Sequence, residues 1–222
     1  GRAAPGPKRC LRATRRNVAR LKALIDDLLT LSKAESRPAD LEQGELSSIL
    51  RDAITDVRIT AARRSVGVHV DLEEPLPVLA DRAMLHRAFL NVLTNAVKFS
   101  REGGQVEVSA RRDGTDVEVA VTDHGIGIPA AELDRLGTRF FRASNAVAGE
   151  IAGTGLGLRI VQTILDRHGG EVVIESREGV GTTVVLRLRC QSGPLVLEPR
   201  SPSSAADRPA DQPADQGRVG AA

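Results

Sequence analysis

The sequence predicts a two-layer α/β sandwich, in which three helices cover one face of a mixed sheet, preceded by a long bundle helix. Three observations support this fold class: strand-like segments with alternating valines, amphipathic helical segments between them, and a leucine-rich helical repeat near the start. Interleaved strands and helices that each carry one apolar face pack as layers around a shared core. We therefore divide the chain into a bundle segment at 1–36, one α/β domain at 41–190 and a tail at 191–222.

Composition restricts the class of protein before any motif is considered. Of the 222 residues 41% are hydrophobic, which is enough to build the core of one ordinary domain. The 31 basic and 29 acidic side chains leave a net charge of +2, so no strong field favours nucleic acid or an acidic membrane. No segment approaches the roughly 20 apolar residues that a bilayer crossing needs. We expect no nucleic-acid partner and no membrane contact from this segment.

The cysteines and the first residue suggest the context of the chain. Cys10 and Cys190 lie far apart without metal-ligand spacing, which fits a reducing compartment. We expect a cytoplasmic location for this segment. A full-length protein that is anchored to a membrane upstream of the segment would be compatible with this location. The single methionine is Met84 and the first residue is Gly1, so we expect the chain to be part of a longer protein.

The first predicted element is a long helix with an apolar seam. Leu24, Leu29 and Leu31 widen this seam. The seam positions themselves follow one another in alternating steps of three and four: Leu11, Thr14, Val18, Leu21, Ile25 and Leu28. This spacing is typical of a coiled coil or helical bundle. The alternative is a core-facing helix of the same domain. The helix is predicted to end between Ser36 and Pro38, because the residue before a proline avoids helical conformation.

Two further helices and two short strands follow. Ser47 and Ser48 are predicted to cap the second helix, since serine side chains accept hydrogen bonds from the first free amides of a helix. Short strands are predicted at 66–70 and 78–80, where valines alternate or stand between turn residues. Asp81 is predicted to cap a long amphipathic helix.

The remaining pattern consists of two hairpins around one helix. The strands are predicted at 105–110, 117–122, 171–176 and 182–189, and the helix at 158–165. Asp113-Gly114 is a strong turn signal for the first hairpin, because both residues tolerate positive φ. The two hairpins complete the predicted mixed sheet.

Two stretches lack periodicity. Residues 137–152 are rich in small residues and lie between two motifs, so we expect a mobile lid. After Gln191 five of the 11 prolines fall among small and polar residues, which bury too little surface to order the chain. The tail is therefore predicted to be disordered.

Two glycine clusters are candidates for binding a phosphate group. The sequence at 123–129 is DHGIGIP, at the end of a predicted strand, and that at 153–158 is GTGLGL, at the start of a predicted helix. Glycines let backbone N–H groups approach an anion, and a helix N-terminus adds a favourable dipole. Neither cluster has the spacing of a dinucleotide-binding fingerprint or of a P-loop. Glycines that merely permit tight turns are the alternative.

Polar side chains on the long helix after Asp81 strengthen this interpretation. Asn91 and Asn95 lie one turn apart on a face otherwise suited to burial, and amide oxygens suit Mg2+. Lys98 lies close by and places a cation where a polyphosphate would fit. Asparagines satisfied by nearby backbone groups are the alternative.

These motifs together resemble the N, G1, F, G2 and G3 boxes of sensor histidine kinases. They occur in order at 91–99 (NVLTNAVKF), 123–127 (DHGIG), 139–142 (RFFR), 153–158 (GTGLGL) and 179–182 (GVGT). The resemblance covers roughly residues 11–189. The wider superfamily includes gyrase, heat-shock chaperone and mismatch-repair ATPases.

The resemblance implies ATP and Mg2+ as ligands and assigns a role to each matching residue. Asp123 would accept a hydrogen bond from the adenine amino group. Lys98 and Arg142 would bring positive charge to the triphosphate, and Asn95 with Asn91 would hold Mg2+. The implied ATP-binding set is completed by Gly125, Gly127, Gly153, Thr154, Gly155, Leu156, Gly157 and Thr182. Phe140 and Phe141 are expected to anchor the lid in the core.

The implied function is phosphorylation of a bundle histidine and relay to an aspartate of a response regulator receiver domain, in a homodimer formed through the bundle. Asn91 stands where the superfamily's ATP-hydrolysing members and anti-sigma serine kinases have a glutamate base, and an amide cannot take a proton. None of the four histidines has the family's acceptor context, so this chain is expected to bind ATP without phosphorylating itself. A non-catalytic ATP-binding module and an anti-sigma serine kinase are the alternatives.

Overall fold

The computed structural model describes residues 7–190, with side chains at Thr14 and from Asn17 onward. The helices are α1 (Pro7–Ser36), α2 (Leu46–Arg63), α3 (Arg82–Phe99), α4 (Ser144–Ala148) and α5 (Gly157–Arg167). The strands are β1 (Glu42–Glu45), β2 (Gly67–Leu72), β3 (Pro77–Ala80), β4 (Gln105–Asp113), β5 (Asp116–Asp123), β6 (Glu171–Arg177) and β7 (Gly181–Arg189). Ala130–Arg135 forms a 3-10 helix. The disorder predicted for 191–222 falls outside the described residues.

Five strands form a mixed sheet in the order β2-β4-β5-β7-β6. Only the β2–β4 pair is parallel among the described strands of this sheet. Alternate residues are buried on one face, because successive side chains of a strand point to opposite faces: Val106, Val108, Ala110, Val117, Val119, Val121, Leu186 and Leu188. Helices α2, α3 and α5 cover this face, which confirms the predicted two-layer sandwich.

Helix α3 lies in the middle of the helical layer, between α2 and α5 and above β4 and β5. Its apolar side, which includes Leu85, Phe89 and Leu93, is fully buried. The backbone N–H of Met84 donates to Asp81 Oδ1 at 3.0 Å, so the predicted N-terminal cap is confirmed. Because α3 packs on α2, α5 and the sheet, the positions of its polar residues Asn91, Asn95 and Lys98 are fixed relative to the core.

A small second sheet and the start of α2 differ from the prediction. Strand β1 pairs antiparallel with β3 and was not predicted, because Glu42–Glu45 has no apolar alternation. The cap of α2 is Glu45, whose carboxylate accepts from the backbone N–H groups of Ser47 and Ser48. The predicted serine caps are therefore wrong. The Ser47 hydroxyl is buried and donates to the Glu73 carbonyl oxygen instead.

Helix α1 carries two apolar stripes. Val18, Leu21, Ile25 and Leu28 of the predicted seam are exposed, and the side chain of Leu11 lies outside the described set. Leu24 and Leu31 do not widen this seam; they pack on the core of the α/β domain, together with Ala34. Helix α1 thus docks on α5 through one stripe and leaves the other uncovered. No helix within residues 7–190 is long and apolar enough to cross a membrane.

Candidate ATP-binding site

Asp123 is a buried carboxylate at the end of β5, between β4 and β7. Its side chain accepts from the backbone N–H of Gly125, at 2.9 Å from Oδ1, and from the backbone N–H of Thr182. Burial raises the pKa of Asp123 to about 6, against the opposing effects of these two hydrogen bonds and of nearby His124. The residue is 6% exposed. The pocket therefore contains an acceptor whose ionised form is costly without a polar partner.

Three glycines let chain segments pack closely around Asp123. A Cβ atom at Gly125 would lie 2.1 Å from the Phe99 carbonyl oxygen, and one at Gly127 would lie 2.0 Å from the Arg177 carbonyl oxygen. A Cβ atom at Gly181 would lie 2.0 Å from the backbone oxygen of Asp123 itself. The close approaches that these glycines permit are between protein backbones. Their predicted approach to a nucleotide base stays a prediction.

Ser176 is a residue of this pocket that sequence reasoning missed. Its Oγ accepts from the backbone N–H of Ile128 at 3.0 Å and donates to the Gly181 carbonyl oxygen at 2.9 Å. It also lies 2.8 Å from Oγ1 of Thr182, which pairs with Asp123 across the strands. No local pattern marks Ser176, because its partners come from the G1 turn and from β7.

The polar residues of α3 face the start of α5. A Cβ atom at Gly157 would lie 3.7 Å from Asn95 Nδ2 and 3.8 Å from Asn91 Oδ1. The Asn91 Nδ2 atom is buried and has no hydrogen-bond partner among the described residues. Lys98 Nζ donates to Asn95 Oδ1 at 3.2 Å. The N box thus places two amides and one ammonium beside the N-terminus of α5.

Two cations lie against the first glycine of the G2 motif. A Cβ atom at Gly153 would lie 3.3 Å from Lys98 Nζ and 3.8 Å from Arg142 Nε. The pKa of Lys98 is lowered to about 8, first by burial and second by the Arg142 guanidinium, while Asp27 acts in the opposite direction. The Arg142 guanidinium also donates to the Ile151 carbonyl oxygen. A desolvated pair of cations favours binding of an anion at this point.

The centre of the G2 loop is held by the F box. Gly155 has a φ of +77°, and a Cβ atom there would lie 2.6 Å from the carbonyl carbon of Phe140. The backbone N–H of Phe140 donates to the Gly155 carbonyl oxygen at 3.1 Å. Thr154 Oγ1 accepts from the backbone N–H of Leu156 at 3.3 Å. This loop is therefore shaped by contacts with its own chain.

Phe140 does not anchor the lid in the core, so that prediction is wrong. Its side chain is 55% exposed and its φ is +65°, because its backbone rather than its ring contacts the G2 loop. Phe141 is half-buried and packs under the Arg135 guanidinium, 4.3 Å from the ring centroid. The predicted lid segment, residues 137–152, contains the short helix α4, in which Asn145 Nδ2 donates to the Gly127 carbonyl oxygen at 2.9 Å.

The predicted site residues form two groups that meet at the end of α3. One group surrounds Asp123, and the other combines the N box, Arg142 and the G2 loop. They are joined because the Phe99 carbonyl oxygen, next to Lys98, accepts from the backbone N–H of Ile126 at 3.2 Å. Within residues 7–190 no group of three His, Cys, Asp or Glu side chains has the arrangement of a metal site. The Mg2+ prediction therefore depends on the amides of Asn91 and Asn95.

Comparison with known proteins agrees with this architecture. Residues 80–192 match the family of histidine kinase-, DNA gyrase B- and HSP90-like ATPases. The histidine protein kinase DivJ of Caulobacter vibrioides is 39% identical over 184 residues, covering 81% of this chain and 30% of DivJ. The chain spans between 20% and 44% of the length of eight curated relatives that it matches.

Solved structures of sensor kinases share the fold. The mycobacterial sensor histidine kinase MprB has a TM-score of 0.61 and 30% identity, covering 68% of this chain and 99% of that chain. The histidine kinase ThkA in complex with the response regulator TrrA has a TM-score of 0.68 and 22% identity, over 86% of this chain and 54% of that chain. The chain belongs to the histidine kinase-, DNA gyrase B- and HSP90-like ATPase family, and it contains the catalytic domain of a sensor histidine kinase.

Proposed function

We propose that this chain carries out the ATP-dependent step of a two-component sensor histidine kinase. It would bind ATP with Mg2+ and present the γ-phosphoryl group to a histidine on a bundle helix. The observation that carries this proposal is the convergence of Lys98 and Arg142 on Gly153, directly beside the paired amides of α3. Phosphoryl transfer depends mainly on such positioning and charge neutralisation.

The base of the nucleotide would occupy the pocket of Asp123. An ionised carboxylate only accepts hydrogen bonds, and the adenine amino group is a donor. Guanine presents an oxygen at the same place, which would leave two acceptors facing each other. Thr182 and Ser176 would support the carboxylate from β7 and β6.

The metal ion would lie between the phosphates and the amides of Asn95 and Asn91. The buried Nδ2 atom of Asn91 lacks a partner among the described residues, and such an atom is costly unless a ligand satisfies it or the amide turns its oxygen inward. Bound Mg2+ would neutralise charge on the triphosphate. With its oxygen turned inward, the Asn91 amide would fit the ion, and Asn95 and Asn91 would be its protein ligands.

The phosphoacceptor would be a histidine on another helix of the bundle. Of the four histidines in the chain, His86 pairs with Asp56, His124 pairs with Glu107, and His168 caps α5; the remaining histidine, His69, is on strand β2. A neutral imidazole nitrogen would attack the γ-phosphorus as the bond to the ADP oxygen breaks, and needs no base on α3 because it already carries a lone pair.

The exposed seam of α1 supports the proposed partners. Val18, Leu21, Ile25 and Leu28 form an uncovered apolar stripe, which a helical bundle of two subunits would bury. We therefore expect residues 1–36 to belong to a dimerisation bundle and 41–190 to be the catalytic domain. The phosphorylated histidine would then pass its phosphoryl group to a receiver-domain aspartate.

Phosphotransfer in trans tests the proposal. The 222-residue chain is incubated with Mg2+ and γ-labelled ATP, alone and with a bundle protein of this family that carries the acceptor histidine. We expect acid-labile label in the bundle protein and none in this chain, with relay to a receiver domain added afterwards. ATP binding without any transfer would instead support a regulatory module. Acid-labile label on this chain alone would show that one of its own histidines is the acceptor.

A further inference from the structure

Helix α1 carries a carboxylate in the stripe that faces the catalytic domain. This docking stripe consists of Leu24, Asp27, Leu31 and Ala34, spaced in steps of three and four. Leu31 and Ala34 are buried, and the side chain of Asp27 is only 16% exposed. A charged group in an apolar interface requires polar partners. Asp27 has two such partners, and one of them, Thr154, belongs to the candidate phosphate site.

Asp27 is hydrogen-bonded to the G2 loop and to α3. Its Oδ2 accepts from the Thr154 hydroxyl at 2.6 Å, and its Oδ1 accepts from the Arg87 guanidinium at 3.1 Å. The Thr154 oxygen in turn accepts from the backbone N–H of Leu156 at 3.3 Å. A hydrogen-bonded chain thus runs from a loop amide through Thr154 to the bundle helix. With α1 docked, the Thr154 hydroxyl and the Leu156 N–H, two of the donors that the G2 loop would offer to a phosphate, are already engaged.

The charge of Asp27 acts on Lys98, one of the two cations that would hold the triphosphate. It stabilises the protonated form of Lys98, whose pKa burial and Arg142 otherwise lower. A triphosphate at Gly153 would bring several negative charges to Lys98 and Arg142. Like charges that share one partially desolvated site repel each other strongly. A bound triphosphate and a docked Asp27 therefore disfavour each other.

We propose that Asp27 is a built-in competitor of the ATP phosphates, so that docking of α1 on Thr154 and binding of the triphosphate weaken each other. This inference rests on the proposed function, since it places the triphosphate on the G2 loop. Coupling between two binding events is reciprocal: docking weakens ATP binding by the factor by which ATP weakens docking. Bound ATP would thereby release the bundle helix from the catalytic domain.

The contacts at the end of α1 would act as a hinge during this release. Arg139 forms an ion pair with Glu35 at 2.7 Å, and Arg167 donates to the backbone oxygens of Glu35 and Arg37. These contacts lie two turns beyond Asp27 and involve none of the predicted ATP-binding residues. The helix would therefore swing away at Asp27 while its C-terminal end stays attached.

The test compares Asp27→Asn with Asp26→Asn in the 222-residue chain. Asp26 is exposed on the same helical turn, so its substitution removes the same charge without touching the G2 loop. Calorimetry would measure the affinity of each variant for a non-hydrolysable ATP analogue with Mg2+ and for adenosine. We expect Asp27→Asn to bind the analogue about 10-fold more tightly than Asp26→Asn, a typical size for coupling between sites. Adenosine, which has no phosphates, should bind equally to both variants and so reports that the adenine pocket is folded.

Hydrogen exchange in residues 20–36 provides a second readout. The analogue should accelerate exchange there in the wild-type chain, and Asp27→Asn should exchange fast without nucleotide. Equal or weaker analogue binding by Asp27→Asn would overturn the inference, since Asp27 would then be inert or would position Thr154 for ATP. Equally tightened adenosine binding would also overturn it. If no variant binds the analogue or adenosine, the proposed ATP site itself is wrong. This outcome differs from one in which both variants bind the analogue with the same affinity, which would contradict only the role of Asp27.

Discussion

Asp123→Asn should strongly weaken ATP binding and stabilise the fold at the same time. The amide can present a donor to the adenine amino group, so a buried hydrogen bond would be replaced by two facing donors. We expect a loss of about 3 kcal/mol, or roughly 100-fold in affinity. Calorimetry with a non-hydrolysable ATP analogue measures it, and unchanged affinity would remove the adenine role of Asp123.

The gain in stability follows from the cost of keeping Asp123 ionised. Its pKa rises from 3.8 to about 6 in the folded chain, and each pKa unit corresponds to about 1.4 kcal/mol. Because the folded state holds this proton more tightly than the unfolded state, the contribution of Asp123 to stability is fully present below pH 3.8 and is lost as pH rises through about 6. At pH 7.5 the ionised carboxylate thus costs at most about 3 kcal/mol, and we expect the amide to recover about 1–3 kcal/mol.

Urea unfolding at pH 7.5 and at pH 4 separates this effect from others. Asp123→Asn should be more stable than the wild type at pH 7.5, and the difference should shrink towards pH 4, where the wild-type carboxyl is protonated in the folded state. Asp113→Asn is the matched control, because it removes an exposed carboxylate from the other end of the hairpin. If Asp123→Asn is less stable than the wild type at pH 7.5, the argument from burial is wrong.

Three further predictions concern the metal ligands, the lid and the G1 turn. Asn95→Ala should bind the ATP analogue with an affinity that no longer depends on Mg2+, measured by titrations with and without the ion; a retained dependence would remove Asn95 as a ligand. Amide exchange in residues 137–152 should slow when the analogue binds, and equal protection in both states would contradict nucleotide-gated closure. Gly125→Ala should lose about 1–3 kcal/mol of stability, because its Cβ would lie 2.1 Å from the Phe99 carbonyl oxygen. In the same unfolding assay Gly44→Ala, which meets nothing within 4 Å, should change little.

Most elements of the domain were predictable because their burial is periodic. The valines of β4 and β5 alternate, and α3 repeats its apolar residues at helical spacing after the Asp81 cap, so local sequence indicates both type and orientation. β1 could not be predicted in this way. It is held by backbone pairing with β3, which any side chains permit.

The candidate site was predictable where one segment contains several of its parts. Asn91, Asn95 and Lys98 share one helix, so their spacing alone brings them together. Ser176 was not predictable, since its hydrogen bonds reach the G1 turn and β7. Phe140 was misjudged for a related reason, because its role depends on the backbone of Gly155 and not on its own apolar ring.

The sequence by itself determined the order of helices and strands, the five motifs of the family and the chemistry that each motif can offer. These properties are local, because they depend on which side chains follow one another along a few turns or one strand. Only the tertiary structure decided which of them meet. Asp27 and Thr154 are 127 residues apart, and their contact exists because α1 buries Leu31 and Ala34 against the α/β domain. Packing of apolar surfaces, which is not directional, brings such distant polar groups within hydrogen-bonding distance.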